Sequence, residues 1–132
     1  MDRWKAGSMA KLTVWDRQYA SGVGLRQWPE QSLVEFLGRR YQDGGDTRAA
    51  LEVGCGNGRN LWALLECGFN VLGVDASQSA LDCAMELLGR RWYGENATSW
   101  GLVRMAVPGL SLDLEPFDLV IDIQTIQHVP WA

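Results

Sequence analysis

The amino-acid sequence predicts one α/β domain built on an open parallel sheet, and three observations carry that expectation. Short apolar runs alternate with amphipathic stretches at the spacing of βαβ units. The first strong apolar run, Ala49-Ala50-Leu51-Glu52-Val53, ends abruptly in glycines. The next one ends in a single acid, Asp75. The 132 residues suit one domain, and 47% apolar content is enough to close a modest core.

The elements follow in order. Met1 to Met9 shows no periodicity, and Gly7-Ser8-Met9 reads as a junction ahead of the native start. Residues 1–10 are therefore taken as a leader, disordered or added, and residues 11–132 as the domain. Lys11 to Ala20 reads as a short helix, and Ser21-Gly22-Val23-Gly24 as a flexible link. Pro29 opens a stronger helix, with Leu33, Phe36, Leu37 and Tyr41 on one face. Gln42 to Asp46 breaks it. After the first strand, Leu61, Leu64 and Leu65 form the buried stripe of a helix that stops at Cys67-Gly68. Asn70 to Val74 is a second strand. Ser77 or Ser79 caps a third helix, Ser79 with Asp82 having capping-box spacing, and Leu81, Ala84, Met85 and Leu88 supply its buried face. Gly101 to Val107 is a third strand, and Phe117 to Asp122 a fourth whose apolar run predicts burial on both faces.

Composition excludes several classes. The net charge of −4 argues against a nucleic-acid partner, which calls for a basic stripe. The pairs Arg39-Arg40 and Arg90-Arg91 fall near predicted helix ends, where cations suit the dipole. No apolar run approaches the roughly 20 residues of a membrane span, and no signal peptide is evident, so no membrane partner is expected. The three cysteines have no metal-ligand spacing, no metal is expected, and a reducing cytoplasm is the default location.

The most informative segment is Glu52-Val53-Gly54-Cys55-Gly56-Asn57-Gly58, set between a strand and a helix. Glycines there accept positive φ and let a ligand approach the backbone. The next helix would offer free N–H groups to an anionic part of a ligand. Asp75, 21 positions after Gly54, places a carboxylate beside that bend, suited to ribose hydroxyls. A dinucleotide fingerprint would need glycine where this chain has Arg59. Glu52 would repel a pyrophosphate but not a ligand carrying an ammonium and a sulfonium. The pattern therefore favours a cationic adenosine cofactor over NAD.

Those residues resemble motif I of the class I S-adenosylmethionine-dependent methyltransferases. Val71-Leu72-Gly73-Val74-Asp75-Ala76-Ser77 resembles the family's next motif, and Phe117-Asp118-Leu119-Val120-Ile121-Asp122 its fourth-strand motif. The resemblance implies a Rossmann-like parallel sheet of strand order 3-2-1-4 and S-adenosyl-L-methionine as cofactor. It implies that Gly54, Gly56 and Gly58 pass close to the ligand, with Cys55 and Asn60 in the same binding stretch. Glu52 would hold the bend and serve the amino group, Asp75 would bind ribose, and Ala76 would lie beside adenine. Trp15 to Tyr19 and Gly24 to Pro29 resemble the lid segment of small-molecule members. Tyr19 then either closes over the methionine carboxylate, helped by Arg26, or packs as part of a surface helix.

Two departures from the family pattern bear on specificity. Members often carry an acid after strand three, but here Arg104-Met105-Ala106-Val107-Pro108 leaves adenine to backbone groups and Met105. Asp122-Ile123-Gln124-Thr125 lacks the Pro-Pro-aromatic sequence of many base-methylating enzymes. Methyl transfer rests mainly on alignment, since the sulfonium is already a good leaving group. A base is needed only where the acceptor loses a proton. Asp122 faces either the cofactor or the next helix's N-terminus; His128, the single histidine, serves either as a base or in packing.

The family sheet has seven strands and this chain supplies about four, so the domain is expected to be C-terminally truncated, with a self-associating edge at strand four. The expected activity is methyl transfer to a small molecule. A non-catalytic cofactor-binding fragment and, less favoured, a nicotinamide-dependent oxidoreductase are the alternatives.

Overall fold

The computed structural model describes residues 3–41, 48–92, 98–106, 116–123 and 125, with side chains from residue 12 onward. Among the described residues the elements are α1 (Arg3–Ser21), α2 (Gln31–Arg40), β1 (Arg48–Val53), α3 (Arg59–Glu66), β2 (Phe69–Asp75), α4 (Gln78–Arg91), β3 (Trp100–Arg104) and β4 (Leu119–Asp122). All strand pairs are parallel, in the order β3-β2-β1-β4. That is the order the resemblance implied.

β1 and β2 lie in the middle of the sheet, and the sequence shows why. The last four residues of β1, Ala50 to Val53, are all buried, as a strand covered on both faces requires. On one face, Ala50, Val71 and Ile121 meet Leu61, Leu64 and Leu65 of α3 and Leu81 and Leu88 of α4. Each fully buried leucine there contributes about 1.5–3 kcal/mol. α1 lies against α4, and α2 against α3. On the opposite face, Leu51, Val53 and Val74 form a smaller cluster with Leu72, Val103, Met105 and Phe117.

Several boundaries and faces differ from expectation. α1 begins at Arg3, inside the stretch set aside as a leader, where the sequence has no apolar period to announce a helix. In α2 only Leu33 and Leu37 are buried; Phe36 is 44% exposed and meets Tyr41 edge-on. α2 packs against α3, with Leu33 and Leu37 its buried contacts. In α4, Leu87 takes the buried position expected of Met85, which is 56% exposed. Ser77 is the N-cap, accepting from the Ala80 N–H, while Asp82 bonds Gln78 instead of closing a box with Ser79. β3 ends at Arg104; Val107 lies outside the described residues. β4 is buried only at Ile121, with Val120 57% exposed. Its sole described neighbour is β1.

Helix-to-sheet contact is closest at Gly73. A Cβ there would lie 2.6 Å from Leu61 Cδ1 and 2.8 Å from Cys55 Sγ. Gly73→Ala should therefore overpack this contact and destabilise the protein by about 1–3 kcal/mol. Urea unfolding should show a lower midpoint at unchanged slope.

Candidate functional site

The carboxyl ends of β1, β2 and β4 meet at one edge of the sheet. Register aligns Val53 with Val74 and with Asp122, so the bend after β1 opens between Asp75 and Asp122. In an open parallel sheet this edge, at a strand-order reversal, is where ligands bind.

The bend is tied to β2. The Val74 carbonyl accepts from both the Gly54 N–H (2.7 Å) and the Cys55 N–H (3.0 Å). Asp75 Oδ2 accepts from the Gly56 N–H at 2.9 Å, and Oδ1 from the Ser77 N–H at 2.9 Å. The Gly58 N–H reaches the Cys55 carbonyl, and the Arg59 N–H reaches Asn57 Oδ1. Gly54, Gly56 and Gly58 all have positive φ, between 54° and 81°. The amides of Gly54, Cys55, Gly56 and Gly58 are thus committed within the fold. What glycine supplies instead is room for close approach. Tyr19 from α1 occupies the space a Cβ on Gly56 would fill, and Thr125 does the same at Gly54.

Asp75 keeps acceptor capacity, because a carboxylate has about four lone-pair sites and the described bonds use two. Burial raises its pKa, opposed by the backbone donors at Ser77 and Gly56. Glu52 lies beneath the bend and is only 1% exposed. Oε2 accepts from Asn60 Nδ2 at 3.0 Å; Oε1 has no partner. Burial pushes the Glu52 carboxyl from 4.5 up to about 8, opposed by Asn60 and Arg59, with Asp75 and Asp122 adding to the rise. Burial without a cationic partner therefore favours the neutral form of Glu52.

α1 closes over this edge. Asp16 Oδ1 accepts from Ser77 Oγ (2.7 Å) and the Ser79 N–H (3.2 Å), securing α1 to the start of α4. Those donors hold the Asp16 carboxyl below its usual range. One turn later, Tyr19 is half-buried, and burial together with Asp75 pushes its hydroxyl up to about 12, so it stays protonated. Residues 25–31 form a strap over the start of α3. Asn57 donates to the Arg26 carbonyl (2.6 Å), Arg59 to the Trp28 carbonyl and Glu30, and Asn60 Oδ1 accepts from the Glu30 N–H. Arg91 stacks at 4.8 Å from both the Trp28 and Trp62 rings.

The predicted site residues therefore divide. Tyr19, Gly54, Gly56 and Asp75 surround the bend's open side. Ala76 follows Asp75, its carbonyl bonded by Arg104 Nε, and Met105 sits at the end of β3 with its N–H on the Asp75 carbonyl. The Cys55 side chain points into the core against Gly73, and burial raises its thiol far above the usual value, leaving its backbone to face a ligand. Gly58 abuts Ala84 of α4, where a Cβ would lie 3.0 Å away. Asn60 bridges Glu52 to the strap. Asp122 is exposed and its Oδ1 accepts from the Thr125 N–H at 3.0 Å, the local capping alternative. The Arg26 side chain is 77% exposed, facing Glu30 on the outer side of the strap. His128 lies outside the described residues. Asp16, Asn57 and Thr125 were missed. For Asp16 a signal existed: it is three residues before Tyr19, on the same helix face.

A family model described as a methyltransferase domain matches residues 50–132. The chain belongs to that family. Among relatives, it is 32% identical over 97 residues to a ubiquinone biosynthesis O-methyltransferase of Rickettsia bellii, covering 74% of this chain and 38% of that protein. It is 33% identical over 76 residues to a tRNA N(3)-methylcytidine methyltransferase of Schizosaccharomyces pombe, covering 52% and 24%. The chain thus spans less than two fifths of the length of these curated relatives. In three dimensions it resembles a SAM-dependent methyltransferase from Thiobacillus denitrificans, solved with S-adenosyl-L-homocysteine. The TM-score is 0.63 at 15% identity, covering 87% of this chain and 45% of that one. That likeness is one of fold, and it matches the class I methyltransferase architecture expected from the sequence.

Glu52 also makes a prediction about this methyltransferase domain without ligand. Its folded value lies above its unfolded one, so between about 4.5 and 8 the native state holds a proton that the unfolded state has lost. Its contribution is stabilising below that window and is lost as pH rises through it. Urea titrations across this range should show stability falling with pH, and Glu52→Gln should flatten that slope.

Proposed function

We propose that this domain binds S-adenosyl-L-methionine at the glycine bend and transfers its methyl group to a small-molecule acceptor. The observation that carries the reading is the bend itself. Positive-φ glycines turn the chain sharply between Asp75, which keeps spare acceptor sites, and Glu52, whose Oε1 has no partner, and the space beside Gly54 and Gly56 is taken by Thr125 and Tyr19. The residues fit such a ligand: ribose hydroxyls can donate to Asp75, a positive charge suits Glu52, and few free amides compete for phosphate.

S-adenosylmethionine, when bound, supplies an activated methyl on sulfur. The protein's share is orientation. Asp75 fixes the nucleoside end, Tyr19 covers Gly56 with a protonated hydroxyl, and Thr125 borders Gly54. Asp122 and His128 are proposed to serve acceptors that must lose a proton, Asp122 from the end of β4.

The acceptor class rests on less. The absence of a basic stripe and the lid-like α1 over Gly56 favour a small molecule. The similarity to a tRNA-modifying enzyme makes tRNA the comparison to run beside small phenolic acceptors. A reducing, cytoplasmic setting is proposed from the three free cysteines, and no described helix is long and apolar enough to cross a membrane. The β4 edge, with Val120 exposed, is proposed to pair with a second copy; a monomer in sedimentation velocity at all concentrations removes that pairing.

Asp75→Ala should weaken S-adenosylhomocysteine binding by about 1.5–3 kcal/mol for each hydrogen bond lost. Calorimetry measures it, with urea unfolding alongside because Asp75 also holds Gly56 and Ser77. Unchanged affinity in a folded variant removes Asp75 from the site.

A further inference from the structure

The surroundings of Glu52 pose a charge problem. It is the one acid among the described residues buried to 1%, and the described contacts give it a single hydrogen bond, from a neutral amide. The groups bearing on it come from every side. Asp75 lies on β2, Asp122 on β4 and Cys55 in the bend; Tyr19 comes from α1 and Arg59 from α3. Arg59 is the only cation in that set, and its guanidinium is spent on Glu30 Oε2 (3.2 Å) and the Trp28 carbonyl (3.0 Å). Among the described residues, then, no cation reaches Oε1. An ionised carboxylate left this way is costly to keep.

We propose that Glu52 carries a proton in the ligand-free protein and gives it to solvent when a cationic nucleoside occupies the bend, making Glu52 the residue that selects for positive charge. The exchange balances. One proton leaves Oε1 for the buffer, one unit of positive ligand charge takes its place, and no bond to carbon changes. The inference rests on the reading of the bend as a nucleoside site. It adds that neutral ligands gain nothing from Glu52, because they leave its proton in position. Asn60 is the positioning residue: its amide fixes Oε2 and leaves the buried Oε1 without a partner, while its carbonyl oxygen anchors the strap through the Glu30 N–H.

Two measurements test this. Carboxyl NMR of the ligand-free wild-type protein should show Glu52 protonated at pH 7; an ionised Glu52 overturns the proposal while leaving the nucleoside site intact. Calorimetry of S-adenosylmethionine binding in buffers of different ionisation enthalpy counts protons released. Near pH 7 the wild type should release about one more proton per site than Glu52→Gln, since the ligand's own amine titrates equally in both. Affinity of the wild type should rise by up to about tenfold per pH unit below 8, and less in the variant. Equal proton counts overturn the proposal alone. No binding by the wild type at any pH overturns the nucleoside site and this inference with it. Should Glu52→Gln fail to fold, the NMR titration of the wild type still decides.

Discussion

One carbonyl oxygen sets the geometry of the whole site. Val74, at the end of β2, accepts hydrogen bonds from two successive amides, Gly54 and Cys55. That double bond to a neighbouring strand forces the chain out of β1 into a tight turn, and Gly54 and Gly56 adopt the left-handed conformations the turn demands. Asp75, one residue further, captures the Gly56 amide and completes the clasp. The parallel register of β1 on β2 is therefore what makes the bend, and the bend is what opens a face toward a ligand.

The consequence is an inversion of the usual phosphate logic. Glycine bends often serve anions because their amides point outward. Here the amides are spent holding the bend to β2, and the chemistry left over is acidic: Asp75 beside it, Glu52 beneath it, Asp122 at the next strand end. The neighbouring cations are withdrawn. Arg59 holds the strap, Arg91 lies between two tryptophans, and Arg104 bonds the Ala76 carbonyl. An edge of this polarity suits a positively charged nucleoside.

The strap and α1 extend that design outward. Asn57, Arg59 and Asn60 belong to the bend and the first turn of α3, and each reaches the 25–31 segment. Asp16 and Tyr19, one helical turn apart, fasten α1 to the α4 cap and to Gly56. The bend is thus joined to the 25–31 segment by short hydrogen bonds and to α1 by packing of Tyr19 against Gly56, and Asn60 joins the buried acid directly to the former.

The sequence by itself determined the bend and Asp75, while the strand order was implied by the resemblance to the family. Apolar period, glycine spacing and a lone terminal acid are local features, readable wherever they occur. It also located Leu61, Leu64 and Leu65 correctly, because a stripe facing a sheet has only one helical phase. What the tertiary structure decided are matters of partnership. Whether Phe36 and Met85 are covered depends on what packs opposite them, and among the described residues both stay exposed. β4 reads as a doubly buried strand, yet face burial needs packed layers on both sides of the sheet, and among the described residues only Ile121 of β4 is buried. The protonation of Glu52 depends on where Arg59 spends its charge, and that is fixed by Glu30 and Trp28, some thirty positions earlier in the chain. Hydrogen-bond competition across such separations leaves no trace in local pattern, so it becomes visible only when the chain has folded.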